Sequence, residues 1–424
     1  MKQKRRFWVR KAGKRFMSKI ENVRCQKILD SRGNWTIETK IILDDGSVAV
    51  QSVPSGASLG EHEAVYINEE KAADFVSTAI NDVLVGKDPA NQKELDELLI
   101  KMDGTKNKSR LGANSILSVS LALAQVAAKS RGLELYNYLS LLFTGKEKTN
   151  GDLKFPTPIF NVINGGKHAR NHLSFQEFMI IPALNTPLNK AIEMGTDIYN
   201  DLKQLLTDED FETGVGDEGG FEPHGLSADT ALDFLDKAAG RQYNAGSDVF
   251  FGMDAAAGSF YENEKYHIAE EHLDLSPSEM VEYYSGLLTK YELIYLEDPL
   301  FEEDTEAWKE FYKKYADKLM VVADDLVVTN PKILEKVITD KMANAVIVKP
   351  NQIGTLTETI EFIKMAKKAK MNVIISHRSG ENANDTFISD LAVAVDADFI
   401  KAGAPARGER VAKYNRLLEI FYGF

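Results

Sequence analysis

Six short apolar segments in the second half of the chain each end in a residue that can perform acid–base or metal chemistry. These terminal residues are three acids, two lysines and a histidine: Asp254, Glu297, Asp324, Lys349, His377 and Lys401. Successive members are 43, 27, 25, 28 and 24 residues apart, and most of those intervals suit one helix and two loops. This rhythm is typical of a β/α barrel, whose active site lies at the carboxyl ends of its strands. We therefore expect the six side chains to face one mouth.

The three acids, Asp254, Glu297 and Asp324, form a candidate metal site. Carboxylates at three consecutive strand ends can supply three oxygen ligands of an octahedral Mg²⁺. Each acid taken alone could equally be a helix N-cap or part of an ion pair, but their recurrence at consecutive strand ends favours the metal site. Lys349 ends the next strand, where a metal's charge would lower its pKa and let it act as a base. The alternative for Lys349 is a salt bridge to one of the acids.

Two further motifs carry a candidate acid and a candidate phosphate site. Glu218 lies in the glycine-flanked segment 216–220, and the glycines would let the backbone bring its carboxylate close to a ligand as a general acid. An ordinary surface turn is the alternative. Arg378 and Ser379 follow one strand and Lys401 ends the next, and these three residue types together can bind a phosphate.

His168, Glu177 and His377 add polar groups near the same strand ends. A lone histidine is more often a structural group, but both of these lie beside glycines and other polar residues. The serine- and glycine-rich segment 55–60 predicts a mobile lid loop. It is not a phosphate-binding loop, because the spaced Gly-Lys-Ser/Thr ending is missing.

These motifs need a scaffold, and the hydrophobic pattern predicts two domains. Residues 20–56 are typical of strands with a hairpin turn at 44–46, and residues 69–85 and 111–131 are typical of helices. From residue 156 strands and helices alternate to the end. We expect a basic, disordered leader at 1–16, a smaller α+β N-terminal domain at 17–145, and an α/β catalytic domain, a TIM-type β/α barrel, at 156–424.

Composition excludes several classes of protein. The apolar fraction of 44% and the charged fraction of 27% are ordinary for a globular protein. No apolar stretch approaches the roughly 20 residues that span a bilayer. The single cysteine, Cys25, excludes an internal disulfide framework and a cysteine-rich metal site. Because it also fits a reducing compartment, we expect a cytoplasmic protein.

The net charge of −13 hides an asymmetry. Residues 1–16 contain eight lysines and arginines and no acid, so the rest of the chain carries 43 basic and 64 acidic residues, a balance of −21. A protein with this negative charge outside its leader should repel nucleic acid and anionic membranes, although a local basic pocket can still bind a phosphate. The leader could be a transit peptide or a nucleic-acid arm, but a solvated extension, or an upstream start codon before Met17, is the simpler interpretation.

Short motifs, in order along the chain, resemble enolase. They include Asp-Ser-Arg-Gly-Asn at 30–34, Pro-Ser-Gly-Ala-Ser at 54–58, Gln-Glu-Phe-Met-Ile at 176–180, Leu-Glu-Asp-Pro at 296–299, Ala-Asp-Asp-Leu at 323–326 and Asn-Gln-Ile-Gly at 351–354, together with 216–220, 376–380 and 401–407. The similarity runs from about Met17 to Leu418. It implies an α+β cap followed by an enolase-type barrel with one antiparallel strand. It also implies a hydro-lyase, phosphopyruvate hydratase, which dehydrates 2-phosphoglycerate to phosphoenolpyruvate in glycolysis.

The resemblance implies a cofactor as well. Two Mg²⁺ ions per active site would stabilise the aci-carboxylate intermediate. The first would bind Asp254, Glu297 and Asp324, and the second would bind Ser58 as its loop closes.

It further implies a role for each remaining candidate. Lys349 would remove the C2 proton, and Glu218, assisted by Glu177, would protonate the departing C3 hydroxyl. The substrate would be held by residues in three groups: Arg378 and Ser379 on the phosphate, Lys401 on the carboxylate, and His168 and His377 lining the site.

Several positions depart from the enolase pattern. Leu59 replaces a threonine in the lid loop, Lys167 replaces a small residue beside His168, and the segment 382–384 is one residue longer. The C-terminal segment reads Ile-Phe-Tyr at 420–422, where the family has glutamates. Arg32 would pair with one of those glutamates across a homodimer interface, so this salt bridge lacks its usual partner.

Two other functions stay open at this level. One is a related enzyme acting on a different α-carboxylate acid, and the other is a non-catalytic structural or binding protein. The set Arg378, Ser379 and Lys401 favours a phosphorylated substrate. The presence of the candidate base, acid and metal ligands together favours catalysis.

Overall fold

The computed structural model describes residues 18–56, 62–169 and 171–424, apart from the side chains of Asn150 and His168. The expected leader at 1–16 and the lid residues Ser58 and Leu59 lie outside these ranges. No helix in the described ranges has both the length and the apolar character needed to cross a bilayer.

An antiparallel sheet opens the chain, as the sequence predicts. Its strands are β1 (Ile20–Leu29), β2 (Trp35–Leu43) and β3 (Val48–Ser52). The turn between β1 and β2 is fixed by Asp30, whose Oδ1 accepts the backbone N–H groups of Arg32 (2.9 Å) and Asn34 (2.8 Å). Gly33 has a φ of +80° there, a conformation that glycine adopts at no steric cost.

Helices cover this sheet: α1 (Glu69–Phe75), α2 (Asn81–Leu84), α3 (Gln92–Asp103), α4 (Ala113–Arg131) and α5 (Leu135–Thr144). The expected helix at 69–85 is present, but a π-helical turn at Val76–Ile80 joins α1 to α2. The expected helix at 111–131 begins at Ala113. It is buried on most sides, as its apolar composition predicts, because the sheet packs on one side and other helices on the rest.

The strands of the second half lie, in chain order, at β4 (Thr157–Asn164), β5 (Glu177–Pro182), β6 (Val249–Asp254), β7 (Tyr261–Glu262), β8 (Lys265–Ile268), β9 (Leu273–Leu275), β10 (Leu293–Glu297), β11 (Met320–Ala323), β12 (Ala345–Val348), β13 (Asn372–Ser376) and β14 (Phe399–Lys401). In the described residues β4–β6 and β10–β14 close an eight-stranded barrel. The small sheet β7–β9 and one helix fill the long interval between Asp254 and Glu297, which explains why that interval exceeds the others.

The remaining helices alternate with these strands: α6 (Leu188–Asp208), α7 (Ala228–Ala239), α8 (Pro277–Lys290), α9 (Thr305–Tyr315), α10 (Pro331–Asp340), α11 (Pro350–Ile353), α12 (Leu356–Lys368), α13 (Phe387–Ala394) and α14 (Gly408–Tyr422). Short 3₁₀ turns occur at Asn150–Asp152, Gly166–His168, Ala257–Phe260 and Ala269–Glu271. Apolar side chains fill the barrel interior, including Ile159, Met179, Ile181, Tyr295, Val322, Ile347 and Ile374.

Strand β5 runs against its neighbours. It pairs antiparallel with β4 and with β6, whereas the other described barrel strands pair in parallel. Its first residue, Glu177, lies opposite Asp254, the last residue of β6. The amino end of β5 therefore lies at the mouth formed by the carboxyl ends of the others. The antiparallel strand implied by the resemblance is confirmed.

Buried polar contacts fasten the N-terminal part to the barrel. Asp96 of α3 accepts hydrogen bonds from the N–H (3.0 Å) and Oγ1 (2.6 Å) of Thr357 in α12. Ser55 and Gly380 exchange backbone hydrogen bonds of 2.8 and 2.9 Å. The segment that leads into residues 57–61 therefore starts directly beside Ser379.

Candidate active site

The strand-terminal residues meet at the mouth of the barrel, as the spacing predicts. Asp254, Asp324, Lys349, His377 and Lys401 line one pocket. Other elements add further lining residues, including Glu63, Gln176, Glu177, Glu218, Arg378 and Ser379. Glu297 is fully buried and contacts the pocket residue Lys401.

Lys401 forms ion pairs with three carboxylates of the site. Its Nζ lies 2.9 Å from Glu177 Oε2, 3.2 Å from Asp254 Oδ2 and 2.8 Å from Glu297 Oε2. Burial lowers the pKa of this lysine, but the nearby carboxylates outweigh burial and raise it well above its ordinary value. Lys401 is therefore a fixed positive charge.

Lys349 forms an ion pair with Asp324. Burial lowers the pKa of Lys349, but Asp324 outweighs burial and raises the pKa to about 12. The salt bridge left open in the sequence is therefore present. The nearest charge is a carboxylate, so the pKa is raised, and the lowering expected beside a bound metal stays a prediction. A base at this position requires that another cation take up the charge of Asp324.

The predicted metal ligands lie on neighbouring strands, since β10 pairs with both β6 and β11. Glu297 Oε1 is buried and accepts no hydrogen bond from any described residue. Burial and the charge of Asp254 raise the pKa of Glu297 well above its ordinary value. Crowded, buried carboxylates with an unsatisfied oxygen suit a hard divalent cation. The residues therefore fit a metal.

A second acidic group lies beside this one. In the described part of the chain, carboxylate oxygens of Asp298, Asp324 and Asp325 come within 4.8 Å of one another. Both oxygens of Asp298 are already engaged, because they accept the backbone N–H groups of Asp324 (3.0 Å) and Asp325 (2.8 Å). Asp298 therefore holds the loop that carries Asp324 in place.

Glu218 enters the pocket on a glycine-bounded loop. Its Oε2 accepts Nδ2–H of Asn161 (3.0 Å) and lies 3.4 Å from His377 Nε2, and its Oε1 accepts the hydroxyl of Ser379 (3.1 Å). Gly219 has a φ of +86°, and a Cβ there would lie 3.0 Å from the backbone oxygen of Ala406. The loop can therefore carry only glycine at this position without strain, and the ordinary surface turn is excluded by the burial of Glu218.

His377 is buried next to Glu218. Burial lowers the pKa of His377 to about 4, against the opposing effect of the Glu218 carboxylate. The imidazole is therefore neutral near pH 7.

Arg378 is a buried cation on the same side of the pocket. Its Nη1 lies 3.2 Å from Glu63 Oε1. Burial lowers the pKa of the guanidinium, and Glu63 raises it above its ordinary value. Arg378 thus keeps its charge in the pocket, where it and the hydroxyl of Ser379 can meet an anion.

Comparison with known proteins identifies the family. Residues 20–139 match the family model of the enolase N-terminal domain, and residues 152–422 match that of the enolase C-terminal TIM barrel domain. The enolase of Ehrlichia ruminantium (strain Welgevonden) is 45% identical over 414 residues, which cover 95% of this chain and 96% of its own length. The enolase of a Nitratiruptor species is 43% identical over 412 residues, with the same shares covered. The chain belongs to the enolase family.

Membership in the enolase family agrees with the pocket described above. Enolases are glycolytic lyases that dehydrate 2-phosphoglycerate to phosphoenolpyruvate. The described pocket brings together carboxylates, lysines, an arginine and a histidine, which are residue types that such a reaction can use.

Two of the expected enolase site residues cannot be placed in the pocket. Ser58 lies outside the described residues. The backbone of His168 ends a 3₁₀ turn that follows β4, but its side chain is not described. The roles of these two residues stay predictions, as do the roles of the other site residues.

Several residues that contact the predicted site residues were missed from the sequence. Gln176 donates to Asp254 (3.2 Å), Gln352 donates to Asp324 (2.9 Å), and Asn161 donates to Glu218. Gln176 and Gln352 do lie inside motifs shared with enolase, and Asn161 is a polar residue inside an otherwise apolar strand. Glu63 has no such signal, because only the fold brings it to Arg378.

Proposed function

We propose that this pocket divides the enolase reaction between two groups. Lys349 removes the C2 proton of 2-phosphoglycerate, and Glu218 protonates the departing C3 hydroxyl. The observation that supports this division is that both side chains line one pocket, together with a buried arginine and a set of carboxylates.

Lys349 can act as the base once its proton is lost. Asp324 holds the proton on Lys349 in the resting pocket. A divalent cation on Asp324 would remove that effect and disfavour a second positive charge nearby, so the neutral amine would become accessible.

Glu218 can act as the acid because the carboxylate that remains after proton transfer is stabilised by a hydrogen bond. After it gives up a proton, its carboxylate accepts a hydrogen bond from the side chain of Asn161, while the Ser379 hydroxyl, which donates to Glu218 in the free pocket, turns to the substrate phosphate. The Asn161 donor is neutral, so it orients the carboxylate without fixing it permanently in the ionised form. Glu177 forms an ion pair with Lys401. We assign Glu177 as the group that assists Glu218.

The remaining groups bind the substrate. Arg378 and Ser379 hold the phosphate, because a planar guanidinium can bind two phosphate oxygens. Lys401 holds the carboxylate. His377 lines the site, and His168 joins it when the lid closes.

The metal set proposed for the site is two Mg²⁺. Asp254, Glu297 and Asp324 would hold the first ion, and Ser58 would help to hold the second. When bound, Mg²⁺ supplies positive charge that offsets the negative charge developing on the substrate carboxylate.

We also propose the domain arrangement, the cellular location and the oligomeric contacts of the protein. Residues 17–145 form a cap on the catalytic domain at 156–424, and the protein works in the cytoplasm on a small-molecule substrate. In the described residues Arg32 bonds within its own chain, to Ser55 Oγ (2.9 Å) and the backbone oxygen of Gly56 (3.3 Å). We propose that a homodimer forms without the usual pairing of this arginine, because its expected glutamate partner is replaced in this chain.

The test is to incubate the purified protein with 2-phosphoglycerate, with Mg²⁺ or with a chelator, and to follow phosphoenolpyruvate by its absorbance. Product that depends on Mg²⁺ is expected. If a folded protein that binds Mg²⁺ forms no product, the proposal is wrong, and a changed substrate or a non-catalytic role replaces it. A screen of other α-carboxylate acids for C2-proton exchange separates those two outcomes.

A further inference from the structure

A second buried arginine, Arg410 in the first turn of α14, lies behind the pocket. It is fully buried. Its Nη1 lies 2.7 Å from His377 Nδ1 and donates to the backbone oxygen of Arg378 (2.7 Å). Its Nη2 donates to the backbone oxygens of Asp217 (3.0 Å) and Ser379 (2.5 Å). One guanidinium therefore joins the loop that carries Glu218 to the loop that carries His377.

The contact with His377 settles which imidazole nitrogen carries the proton. A guanidinium has only donors, so Nδ1 of His377 must accept and cannot hold a proton. A neutral imidazole then carries its proton on Nε2. That nitrogen lies 3.4 Å from Glu218 Oε2, so its N–H is directed at the carboxylate.

We propose that Arg410 is a positioning residue that holds His377 in the neutral Nε2–H tautomer and thereby directs a neutral donor at Glu218. This inference rests on the proposed role of Glu218 as the acid. Arg410 does not touch the reacting atoms itself.

A neutral donor at this position has a catalytic consequence. A hydrogen bond from a charged imidazolium is roughly twice as strong as one from a neutral group. It would hold Glu218 ionised and oppose the uptake of the proton that the acid must deliver. The charged groups that act on His377 are Glu218 and Glu381, which favour its protonation, and Arg410, which opposes it.

The local packing supports a specific fit for arginine. Gly403 has a φ of +83°, and a Cβ there would lie 2.9 Å from Arg410 Cδ and 3.1 Å from His377 Cε1. The absence of a side chain at 403 makes room for both groups. A lysine at 410 would keep the charge but would lose the planar fork that reaches His377 and the backbone oxygens together.

The direct test is nitrogen-15 NMR of the imidazole groups in the free wild-type protein, with the His377 signals assigned by their loss in His377→Gln. The expected spectrum is that of a neutral ring protonated at Nε2 at pH 7. A ring protonated at Nδ1, or an imidazolium, would overturn the proposal. Because no substrate is present, this result is independent of whether the protein forms phosphoenolpyruvate.

Kinetics of Arg410→Lys and Arg410→Gln then test the consequence. Both variants should lower kcat, on the order of 100-fold for Gln and less for Lys, with a much smaller change in KM, because misdirected groups impair the chemical step. In Arg410→Gln the acid limb of the pH profile should also move to higher pH. Arg407→Lys is the matched control, since Arg407 bonds to the backbone oxygen of Gly216 (3.0 Å) without contacting His377.

Circular dichroism identifies variants that fail to fold. If Gln does not fold, Lys alone decides the question. A folded Arg410→Lys with the wild-type tautomer, kcat and pH profile would show that arginine is not needed for positioning.

Discussion

The active site has two halves that are built differently. The strand-end half consists of residues at the ends of barrel strands: Asp254, Glu297, Asp324, Lys349 and Lys401. The loop half consists of residues on the loops after β13 and before α7: Glu218, His377, Arg378 and Ser379. In the first half carboxylates face lysines directly, whereas in the second the carboxylate of Glu218 meets neutral donors.

This difference follows from how each half is supported. Barrel hydrogen bonds fix the strand ends, so opposite charges can be placed side by side and held there. The loops have only isolated backbone pairs in the described residues, such as that of Ser55 with Gly380, and their positions also depend on glycine conformations and on contacts between distant parts of the chain. Glu218 and Ser379, for example, are 161 residues apart. We expect the strand-end half to perform the proton abstraction and the loop half to manage the phosphate and the leaving group.

The largest effect should come from the strand-end half. Lys349→Ala should reduce kcat on the order of 10⁴-fold, because it removes the base. Binding of Mg²⁺, measured by calorimetry, should persist, because the carboxylates remain. Lys336→Ala, at an exposed lysine of α10, is the control. Near-normal turnover by Lys349→Ala would show that Lys349 is not the base and that the strand-end half does not perform the proton abstraction through it.

The next largest effect should come from the loop half and should appear in binding. Arg378→Lys keeps the charge but loses the two-pronged contact with phosphate, so KM should rise about 10- to 100-fold while kcat changes less. Steady-state kinetics at fixed Mg²⁺ measure both constants, with the more exposed Arg241→Lys as the control. A fall in kcat with an unchanged KM would place Arg378 in the chemical step instead.

A smaller effect concerns the stability of the loop half. The ordinary pKa of histidine is 6.5, and that of His377 is about 4. Between these values the unfolded state binds the proton and the folded state does not, so the stabilisation is present above pH 6.5 and is lost as the pH falls towards 4. The free energy of unfolding should drop by about 3 kcal/mol over this range from His377 alone.

Urea denaturation of wild type and His377→Gln at several pH values measures this contribution. The substitution should make stability less dependent on pH between about 4 and 6.5. His272→Asn, at an exposed residue with a φ of +55° that asparagine tolerates, should leave the dependence unchanged. Parallel curves for wild type and His377→Gln would show that His377 is not held neutral by the fold.

The two halves also differ in how far the sequence predicts them. Asp254, Glu297, Asp324, Lys349 and Lys401 could be found because each ends a short apolar run, and strand ends in a barrel converge on one face. His377 of the loop half was found in the same way. Glu218, Arg378 and Ser379 were suggested by residue type and by the resemblance. Their contacts with Asn161 and Glu63 depend on tertiary structure, which no local pattern encodes.

Details of the fold show the same limit. Spacing alone indicated alternating strands and helices but could not give the direction of β5, because the hydrophobic pattern of a strand is the same in both directions. The π turn at Val76–Ile80 was also missed, since one extra residue barely changes helical periodicity. The charge state of Lys349 could not be read from the sequence, because it depends on whether Asp324 or a metal is the nearest charge.

The central claim is that the two halves perform separate steps, and exchange of the C2 hydrogen tests it most directly. Each variant would be incubated with 2-phosphoglycerate and Mg²⁺ in deuterated water, and deuterium at C2 would be followed by NMR alongside phosphoenolpyruvate. Glu218→Gln should still incorporate deuterium while product formation falls at least about 100-fold, and Lys349→Ala should incorporate none. Loss of exchange in Glu218→Gln, or its retention in Lys349→Ala, would contradict the division of the site.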